Sequence, residues 1–354
     1  MSGTLIALFG LGVVIFIHEL GHMLFAKRAG IGVYEFAIGM GPKLLSKTYN
    51  GTEYSLRLLP LGGFVRLAGL DNDEDTAPDN INFYKKSRWN RFLTLVAGAG
   101  MNVLFGFILF ILLFTLIGTP RLTSSIESVL PNSPAHQAGL VGGDTVIQIN
   151  STSVADPLTD IIQTIQQSNG APLTLTIDRS GQSIETIVRP ELSKGSDAKW
   201  LIGIKLAASP HRHGPVQAII ESMRSTLFHI QMVFKSLHLL ITRNANFNEM
   251  AGPIGIVQLA GSQATTNWYG FFNLLAMISI SLGIINLFPF PVLDGGHILL
   301  LAIESIRKKR LSSTWETRIN QAGVSILITL MIIVIYNDVI NWSTRAELFR
   351  SFSK

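Results

Sequence analysis

Cysteine is absent from the 354-residue sequence, and charged residues make up only 14% of it. The absence of cysteine excludes disulfide scaffolds, cysteine nucleophiles and cysteine-ligated zinc, so any bound metal must use histidine or carboxylate ligands. So little charge is unusual for a soluble protein, and the hydrophobic residues, 47% of the chain, are gathered in blocks. The composition therefore indicates a membrane protein.

Four apolar blocks are long enough to cross a bilayer as helices. They cover residues 5–26, 92–117, 268–287 and about 324–340. The first block would rise roughly 33 Å as a helix, which is about the thickness of the hydrocarbon core. We expect it to be a retained span and not a cleaved signal peptide, because its positive charges, Lys27 and Arg28, follow the apolar run.

The distribution of basic residues predicts the orientation of these spans. Segments 27–91 and 307–318 are short and basic, so we expect them to face the cytoplasm, with both termini and the polar region 119–207 outside. The net charge of +5 is mild. In a membrane protein, lysine and arginine are first a topology signal, so the lipid bilayer is an expected partner and nucleic acid is not.

The first span contains the sequence His18-Glu19-Leu20-Gly21-His22, an HExxH motif. Positions i and i+4 of a helix share a face, so both imidazoles can reach one metal ion, and Glu19 can act as general base on a metal-activated water. Incidental histidines are the alternative, but ionisable groups inside a span are costly and are retained mainly for function. The motif therefore predicts a metal-dependent hydrolytic site.

A catalytic zinc site also needs a third protein ligand and an open position. We expect Asp294, because two prolines and two glycines break the helix around it at membrane depth. Irregular backbone is tolerated there only where it lines an enclosed cavity, and a lone carboxylate in that cavity needs a partner such as a metal. A helix N-cap role for Asp294 is the alternative. His297 is a rival ligand, and Glu35 is a poorer candidate.

Together these features resemble the site-2 protease family, and within it the bacterial RseP/RasP-like group of intramembrane metalloproteases. The resemblance rests on the HELGH helix, the Pro-x-Pro-x-x-Leu-Asp-Gly-Gly stretch near the C-terminus and the inserted polar domain, and it covers nearly the whole chain. It implies zinc bound by His18, His22 and Asp294, with Glu19 as the general base. It also implies that Asn286 helps to position the substrate.

The second span departs from the family in one respect. The family usually carries Gly-Pro-x-x-Asn there, whereas this chain has Gly98-Ala99-Gly100-Met101-Asn102, which lacks the proline but keeps the asparagine. We expect Asn102 to orient a metal ligand or to polarise the scissile carbonyl, and an interhelical hydrogen bond is an equal alternative. Gly98, Gly100 and Gly106 give the span a small-residue face that allows close helix packing.

Segment 119–207 resembles a bacterial PDZ domain, with Leu201-Ile202-Gly203-Ile204 as its peptide-binding loop and strand, placed last as in circularly permuted bacterial PDZ domains. PDZ grooves bind chain ends by strand addition and capture of the terminal carboxylate. A steric filter without a specific peptide is the alternative.

A hairpin at 54–67, turning at Pro60-Leu61-Gly62-Gly63, resembles the membrane-associated β-loop of the family. We expect the region around Gly62 and Gly63 to hold the substrate as an extended strand. A plain cytoplasmic hairpin is the alternative.

The predicted fold is thus a mainly α-helical membrane protein with four transmembrane helices, a membrane-associated β-hairpin and an inserted α+β PDZ domain. Its predicted parts are an N-terminal membrane core (1–118), the PDZ domain (119–207), an interfacial, amphipathic helical region (208–267) and a C-terminal membrane core (268–354).

The resemblance implies an intramembrane zinc endopeptidase in the bacterial cytoplasmic (inner) membrane, with the active site toward the cytoplasm and the PDZ domain outside. Its substrates would be single-span membrane proteins, such as anti-sigma factors or remnant signal peptides. A PDZ membrane adaptor with a structural metal is one alternative, which Glu19 and Gly21 disfavour because a structural site needs no base. A metal transporter is the other, disfavoured by the few intramembrane carboxylates.

Overall fold

The computed structural model describes residues 2–70, 77–193, 198–242 and 252–342. The chain divides into two compact units. The first, here called the membrane unit, comprises Met1–Thr115 and Gly214–Lys354, and the second, the sheet unit, comprises Leu116–His213. The predicted PDZ segment 119–207 lies inside the sheet unit.

The membrane unit begins with a helix, a β-hairpin and a second helix. These are α1 (Ser2–Arg28), β1 (Val33–Tyr49), β2 (Thr52–Leu67) and α2 (Arg88–Leu112), which continues as a π-helical turn over Leu113–Ile117. Ser87 caps α2, because its side chain accepts a hydrogen bond from the backbone N–H of Asn90 at 3.2 Å.

The hairpin is folded back on itself. Strands β1 and β2 pair antiparallel, but Phe36 lies opposite both Tyr54 and Val65, so the beginning and the end of β2 flank the first half of β1 on its two sides. The predicted turn at Pro60–Gly63 lies within this fold-back of β2. A further turn, which the sequence analysis missed, joins the strands at Asn50 and Gly51, whose φ angles of 47° and 75° suit a tight hairpin turn.

The sheet unit is built on a twisted antiparallel sheet. Its elements are β3 (Thr119–Val129), α3 (Pro134–Gln137), β4 (Thr145–Ile149), β5 (Thr152–Ser153), a π-helical stretch (Pro157–Gln163) leading into α4 (Thr164–Gln167), β6 (Leu173–Arg179), β7 (Gln182–Val188), β8 (Glu191–Leu192), β9 (Trp200–Leu201) and β10 (Ile204–His211). The strand order is β10-β3-β4-β6-β7, with β5 beside β4, and β8 pairs with β9.

Alternation along the strands builds the core of this unit. In β6, Leu173, Leu175 and Ile177 point to the same face and are buried, together with Val146 of β4. This unit opens with a strand, a short helix, a Gly-Asp turn and a second strand, which are β3, α3, the Gly143-Asp144 turn and β4. The assignment of this unit to the PDZ class stays a prediction.

The chain then returns to the membrane unit with five helices among the described residues. They are α5 (Pro215–Ile241), α6 (Pro253–Thr266), α7 (Trp268–Asn286), α8 (Asp294–Arg307) and α9 (Ser313–Ile340). Within the described residues, four helices are long and apolar enough to cross a membrane, namely Ser2–Arg28, Arg88–Ile117, Trp268–Asn286 and Thr314–Ile340. They coincide with the four predicted spans.

Small residues bring α2 close to its neighbours. A Cβ on Gly21 of α1 would lie 2.9 Å from Cγ of Met101, and one on Gly106 of α2 would lie 2.9 Å from the carbonyl oxygen of Ala276 in α7. The predicted small-residue face was partly wrong, because no atom of the described residues lies within 4 Å of the Cβ position of Gly100. Gly100 therefore lies on a different side of α2 from the helix contacts.

An irregular segment separates α7 from α8, as the prolines predicted. Val292 has a φ of 79°, which is uncommon for a β-branched residue. Gly296 leaves no room for a side chain, since its Cβ would lie 3.1 Å from Cα of Pro291 and closer still to the carbonyl of Phe290. This compact break places Asp294 at the first position of α8.

Candidate active site

His18 and His22 lie one turn apart on α1 and are both buried. Their spacing of four residues puts the two imidazoles on one face of the helix. The Nε2 atoms are 3.2 Å apart, and the ring centroids are 4.8 Å apart. Both rings thus present the same nitrogen to one point beside the helix.

Asp294 completes the cluster. Its Oδ2 atom lies 3.2 Å from Nε2 of His18 and 3.3 Å from Nε2 of His22, so the three ligand atoms form a nearly equilateral triangle. Tetrahedral zinc with ligand bonds near 2.05 Å has ligand atoms about 3.3 Å apart. Two imidazole nitrogens and a carboxylate oxygen at this separation fit a zinc ion, and three protein ligands leave the fourth position open.

Hydrogen bonds fix the orientation of the His22 ring. Its Nδ1 lies 2.8 Å from the backbone carbonyl oxygen of Thr94 in α2. A carbonyl only accepts, so Nδ1 must carry the proton, and Nε2 is left with a lone pair for the metal. The role of Thr94 cannot be predicted from the sequence, because any residue type supplies a backbone carbonyl.

The two predicted asparagines both contact His18. The carboxamide nitrogen of Asn102 lies 3.4 Å from Nδ1 of His18, and that of Asn286 lies 3.3 Å from Nε2. Asn102 is fully buried, and its Oδ1 has no hydrogen-bond partner among the described residues. When Nε2 of His18 binds a metal, Nδ1 of the same ring carries a proton. If the Asn102 amide is turned by 180°, its Oδ1 faces Nδ1 of His18 and accepts a hydrogen bond from that N–H.

Glu19 faces the end of β2. A Cβ on Gly63 would lie 3.6 Å from Cγ of Glu19, and Val65 lines the same cavity as Glu19. The Glu19 side chain lines a cavity with a volume of about 330 Å³. It is lined by Ile15, His18, Glu19, His22, Val65, Leu67, Leu70, Leu95, Leu282, Asn286, Val292, Leu293, Asp294 and His297.

Gly62 lies beside a second and larger cavity. This cavity has a volume of about 1070 Å³ and is lined mainly by apolar residues of α1, α6 and α7, including Ile15. Ile15 and the adjoining Gly62–Gly63 pair thus connect the surroundings of Glu19 with an apolar space among the spans.

A family model described as peptidase family M50 matches residues 6–330 of the chain. The chain belongs to this family, the site-2 proteases. The M50 protease is therefore a site-2 type zinc metalloprotease and a bacterial membrane protein.

Three relatives are similar to the chain over nearly its full length. A protein of Clostridium acetobutylicum, whose name describes a zinc metalloprotease, is 34% identical over 341 residues, covering 95% of this chain and 96% of the relative. The regulator of sigma-W protease RasP of Bacillus subtilis is 29% identical over 406 residues, covering 93% and 96%. The zinc metalloprotease RasP of Geobacillus kaustophilus is 31% identical over 405 residues, covering 93% and 95%.

The rival ligands of the M50 protease lie apart from the triangle. Among the described residues, the one cluster able to hold a metal consists of His18, His22 and Asp294. His297 lines the small cavity without joining the cluster. Glu35 lies in the hairpin, where its carboxylate accepts hydrogen bonds from the Arg57 guanidinium and the Ser55 hydroxyl, both at 2.7 Å.

The protease also has a sheet edge in the predicted peptide-binding region. Leu201 ends β9, Gly203 has a φ of 82°, and Ile204 begins β10, the last strand in the order of the described sheet. The Ile202 side chain is buried, and its carbonyl accepts a hydrogen bond from the Ala135 N–H at 2.8 Å. The loop is thus anchored to α3, and β10 has one side without a strand partner among the described residues.

Proposed function

We propose that the protein is an intramembrane endopeptidase that cuts the transmembrane segments of single-span, membrane-anchored proteins, with zinc held by His18, His22 and Asp294. One observation carries the proposal. Three ligand atoms lie 3.2–3.3 Å from one another within apolar helices and next to an open strand edge. A site at this depth is reached most directly by another membrane segment.

Glu19 is the proposed general base. Its side chain lines the same cavity as the three proposed ligands and approaches β2 at Gly63, where a substrate carbonyl would be presented. It would take a proton from the water that attacks this carbonyl and deliver it to the leaving amine. Zinc, when bound, supplies Lewis-acid polarisation and acidifies a water molecule.

The proposed substrate-binding strand is the end of β2, from Gly62 and Gly63 to Leu67. Its inner side pairs with β1, and no described strand covers its outer side. A substrate helix hides its carbonyls in internal hydrogen bonds, whereas strand addition would expose one of them to the water activated by Glu19. A Cβ at Gly63 would lie 2.8 Å from the carbonyl oxygen of Ala37 in β1, so a side chain there would disturb the pairing of the two strands beside Glu19.

The two asparagines receive different proposed roles. Asn102 would hold the His18 ring, because it meets Nδ1 on the side away from the metal. Asn286 would position the substrate, because its amide lies on the metal side of the same ring and lines the cavity.

The sheet unit is proposed to be a PDZ domain in which Leu201, Ile202, Gly203 and Ile204 receive a peptide C-terminus along the edge of β10. The order of its elements and the unpaired side of β10 support this assignment. Binding of fluorescent apolar peptides to the full chain, with C-terminally amidated peptides as controls, tests it. Equal binding of both peptide forms would favour a steric filter.

The orientation in the membrane is also a proposal. The basic segments 27–91 and 307–318 support a cytoplasmic active site, with the sheet unit outside the cell. Cysteine labelling at position 2 and in segment 119–207 of sealed cells tests it. Reaction only from the cytoplasmic side would contradict it.

Anti-sigma factors and remnant signal peptides are the proposed physiological substrates. The name of the Bacillus subtilis relative, a regulator of sigma-W protease, supports the former class. A comparison of membrane proteomes from cells with wild-type and Glu19→Gln protein would identify the substrates.

The decisive experiment uses the purified full chain in lipid nanodiscs with a model single-span substrate. Glu19→Gln should bind one zinc ion per chain and cleave nothing, whereas Glu127→Gln, an exposed residue of the sheet unit, should behave as wild type. Cleavage by Glu19→Gln would end the assignment of the base. Bound zinc without cleavage by the wild type would favour a structural metal in a membrane adaptor.

A further inference from the structure

Helices α2 and α8 face each other through two matched rows of side chains. On α8 the row contains Asp294, Leu301 and Glu304, at spacings of seven and three residues that keep them near one side of the helix. On α2 the opposing row contains Arg91 and Leu95, one turn apart. The helices run antiparallel, because the start of α2 lies against the end of α8.

A bidentate ion pair lies at one end of the two rows, which is the cytoplasmic end in the proposed orientation. Nη1 of Arg91 donates to Oε1 of Glu304 at 2.9 Å, and Nη2 donates to Oε2 at 2.8 Å. Arg91 is only 4% exposed, and its guanidinium lies over the rings of Phe83 and Tyr84. Such a fork accepts one geometry, so it fixes position as well as adding attraction.

The middle of the rows is apolar. Leu95 of α2 and Leu301 of α8 are buried in one core cluster with Met23 of α1. Apolar side chains of this kind tolerate small slides of one helix along another, because dispersion and burial are not directional. They hold α8 against the other helices without setting its register.

The deep end contains the metal ligands. Asp294 begins α8 and meets His22, whose Nδ1 is bonded to the Thr94 carbonyl of α2. The segment before Asp294 is an irregular break, so α7 does not extend as a rigid helix into α8. A slip of α8 by one residue would move Asp294 by 1.5 Å. Metal ligation tolerates only about 0.2 Å.

We infer that Arg91, acting through Glu304, is a positioning residue that sets the register of α8 and so places Asp294 on the metal. This inference rests on the proposed ligation by Asp294. Glu304 lies ten residues along α8 from Asp294, about 15 Å at helical rise, so the ion pair acts on the ligand through a rigid helix and not by contact.

The test measures zinc affinity by chelator competition on the full chain in nanodiscs. Arg91→Lys keeps the charge but loses the fork, and Glu304→Gln removes the carboxylate. Each should weaken zinc binding about tenfold, in the lower range for residues that support metal ligands. The reversed pair, Arg91→Glu with Glu304→Arg, should recover most of this loss. Arg224→Lys, in the exposed Arg224–Glu221 pair of α5, should bind zinc as wild type does.

A second measurement separates positioning from general stability. In an Asp294→Asn background, Arg91→Lys should cause no further loss of zinc affinity, since α8 then carries no ligand to place. A tenfold loss in both backgrounds, or wild-type affinity in Arg91→Lys, would overturn the inference. If Asp294→Asn alone binds zinc as tightly as wild type, the proposed ligation fails instead, whatever Arg91 does.

Discussion

Gly98 of α2 provides the space that the His22 ring occupies. A Cβ at this position would lie 2.7 Å from both Cδ2 and Cε1 of His22, and closer still to Nε2. An ordinary contact is at least 3.4 Å, so in Gly98→Ala the ring must retreat by about 0.7 Å or more. Because ligand distances vary by only about 0.2 Å in working metal sites, we expect the His22 ligand to be lost.

The expected magnitudes separate this effect from unfolding. Replacing glycine by alanine inside a helix favours folding by about 1 kcal/mol, which offsets part of the cost of displacing the His22 ring. We therefore expect near-normal stability of the zinc-free protein. Zinc affinity should fall by about 100-fold or more, which corresponds to about 2.7 kcal/mol of binding free energy. Cleavage of the model substrate should fall with zinc occupancy.

Gly100→Ala is the matched control. It makes the same substitution two residues further along the same helix, where nothing lies within 4 Å of the Cβ position. Chelator competition gives the zinc affinity, and thermal unfolding of zinc-free protein gives the stability. If Gly98→Ala binds zinc as tightly as Gly100→Ala, the Nε2 atom of His22 is not a ligand in the arrangement described.

Three further predictions concern other parts of the molecule. Asp338→Ala removes a buried carboxylate of α9 that accepts hydrogen bonds from three backbone N–H groups at the start of α6, at 2.8–3.0 Å. We expect a loss of about 3 kcal/mol in the free energy of unfolding, measured by denaturant titration in detergent, and a smaller loss in Asp338→Asn. Asn286→Ala should keep wild-type zinc affinity but lower the cleavage rate, as kinetics on zinc-saturated protein would show; weakened zinc binding would instead assign Asn286 to the metal. In the sheet unit, hydrogen bonds from the Arg179 guanidinium hold the pKa of Asp144 below its usual value of 3.8. This ion pair stabilises the unit above pH 3.8, and the stabilisation is lost as the pH falls through the lowered pKa. Amide exchange of β4 and β6 should therefore be slower in wild type than in Asp144→Asn at pH 7. This difference should shrink below pH 3.8.

The features that the sequence predicted are mostly local. Spacing along one helix places His18 and His22 together, and apolar run length sets the spans, so both follow from a single segment of chain. Asp294 could be predicted because prolines and glycines at membrane depth need an enclosed cavity. In each case, a short stretch of sequence carries the physical constraint.

The hairpin shows where local signals mislead. The Pro60–Gly63 stretch has the residue types of a turn, but Asn50-Gly51, a strong hairpin signal, forms the turn between β1 and β2. At Gly63 the composition does not reveal the reason for glycine, which is that a Cβ there would crowd the carbonyl oxygen of Ala37 and approach Glu19. A turn signal and a close-approach glycine have the same residue type, and only the three-dimensional arrangement separates them.

Long-range partners could not be predicted from one sequence. Arg91 and Glu304 are 213 residues apart, and Asp338 bonds backbone groups more than 80 residues away. Each residue alone resembles an ordinary charged group near the end of a helix. Their pairing depends on how the helices pack, which periodicity within either segment does not specify.

Helix α2 contributes no metal ligand to the proposed site, yet it contacts both histidines and the helix that carries Asp294. Arg91, Thr94, Gly98 and Asn102 follow one another at spacings of three, four and four residues, so they form one stripe along the helix. The stripe contacts Glu304, the Nδ1 atom of His22, the His22 ring and His18 in turn. The ligand motifs lie on α1 and α8, and of this stripe only Asn102 could be linked to a metal ligand from the sequence. Zinc affinity should therefore respond to substitutions along the stripe and not to those at Gly100, which lies off it.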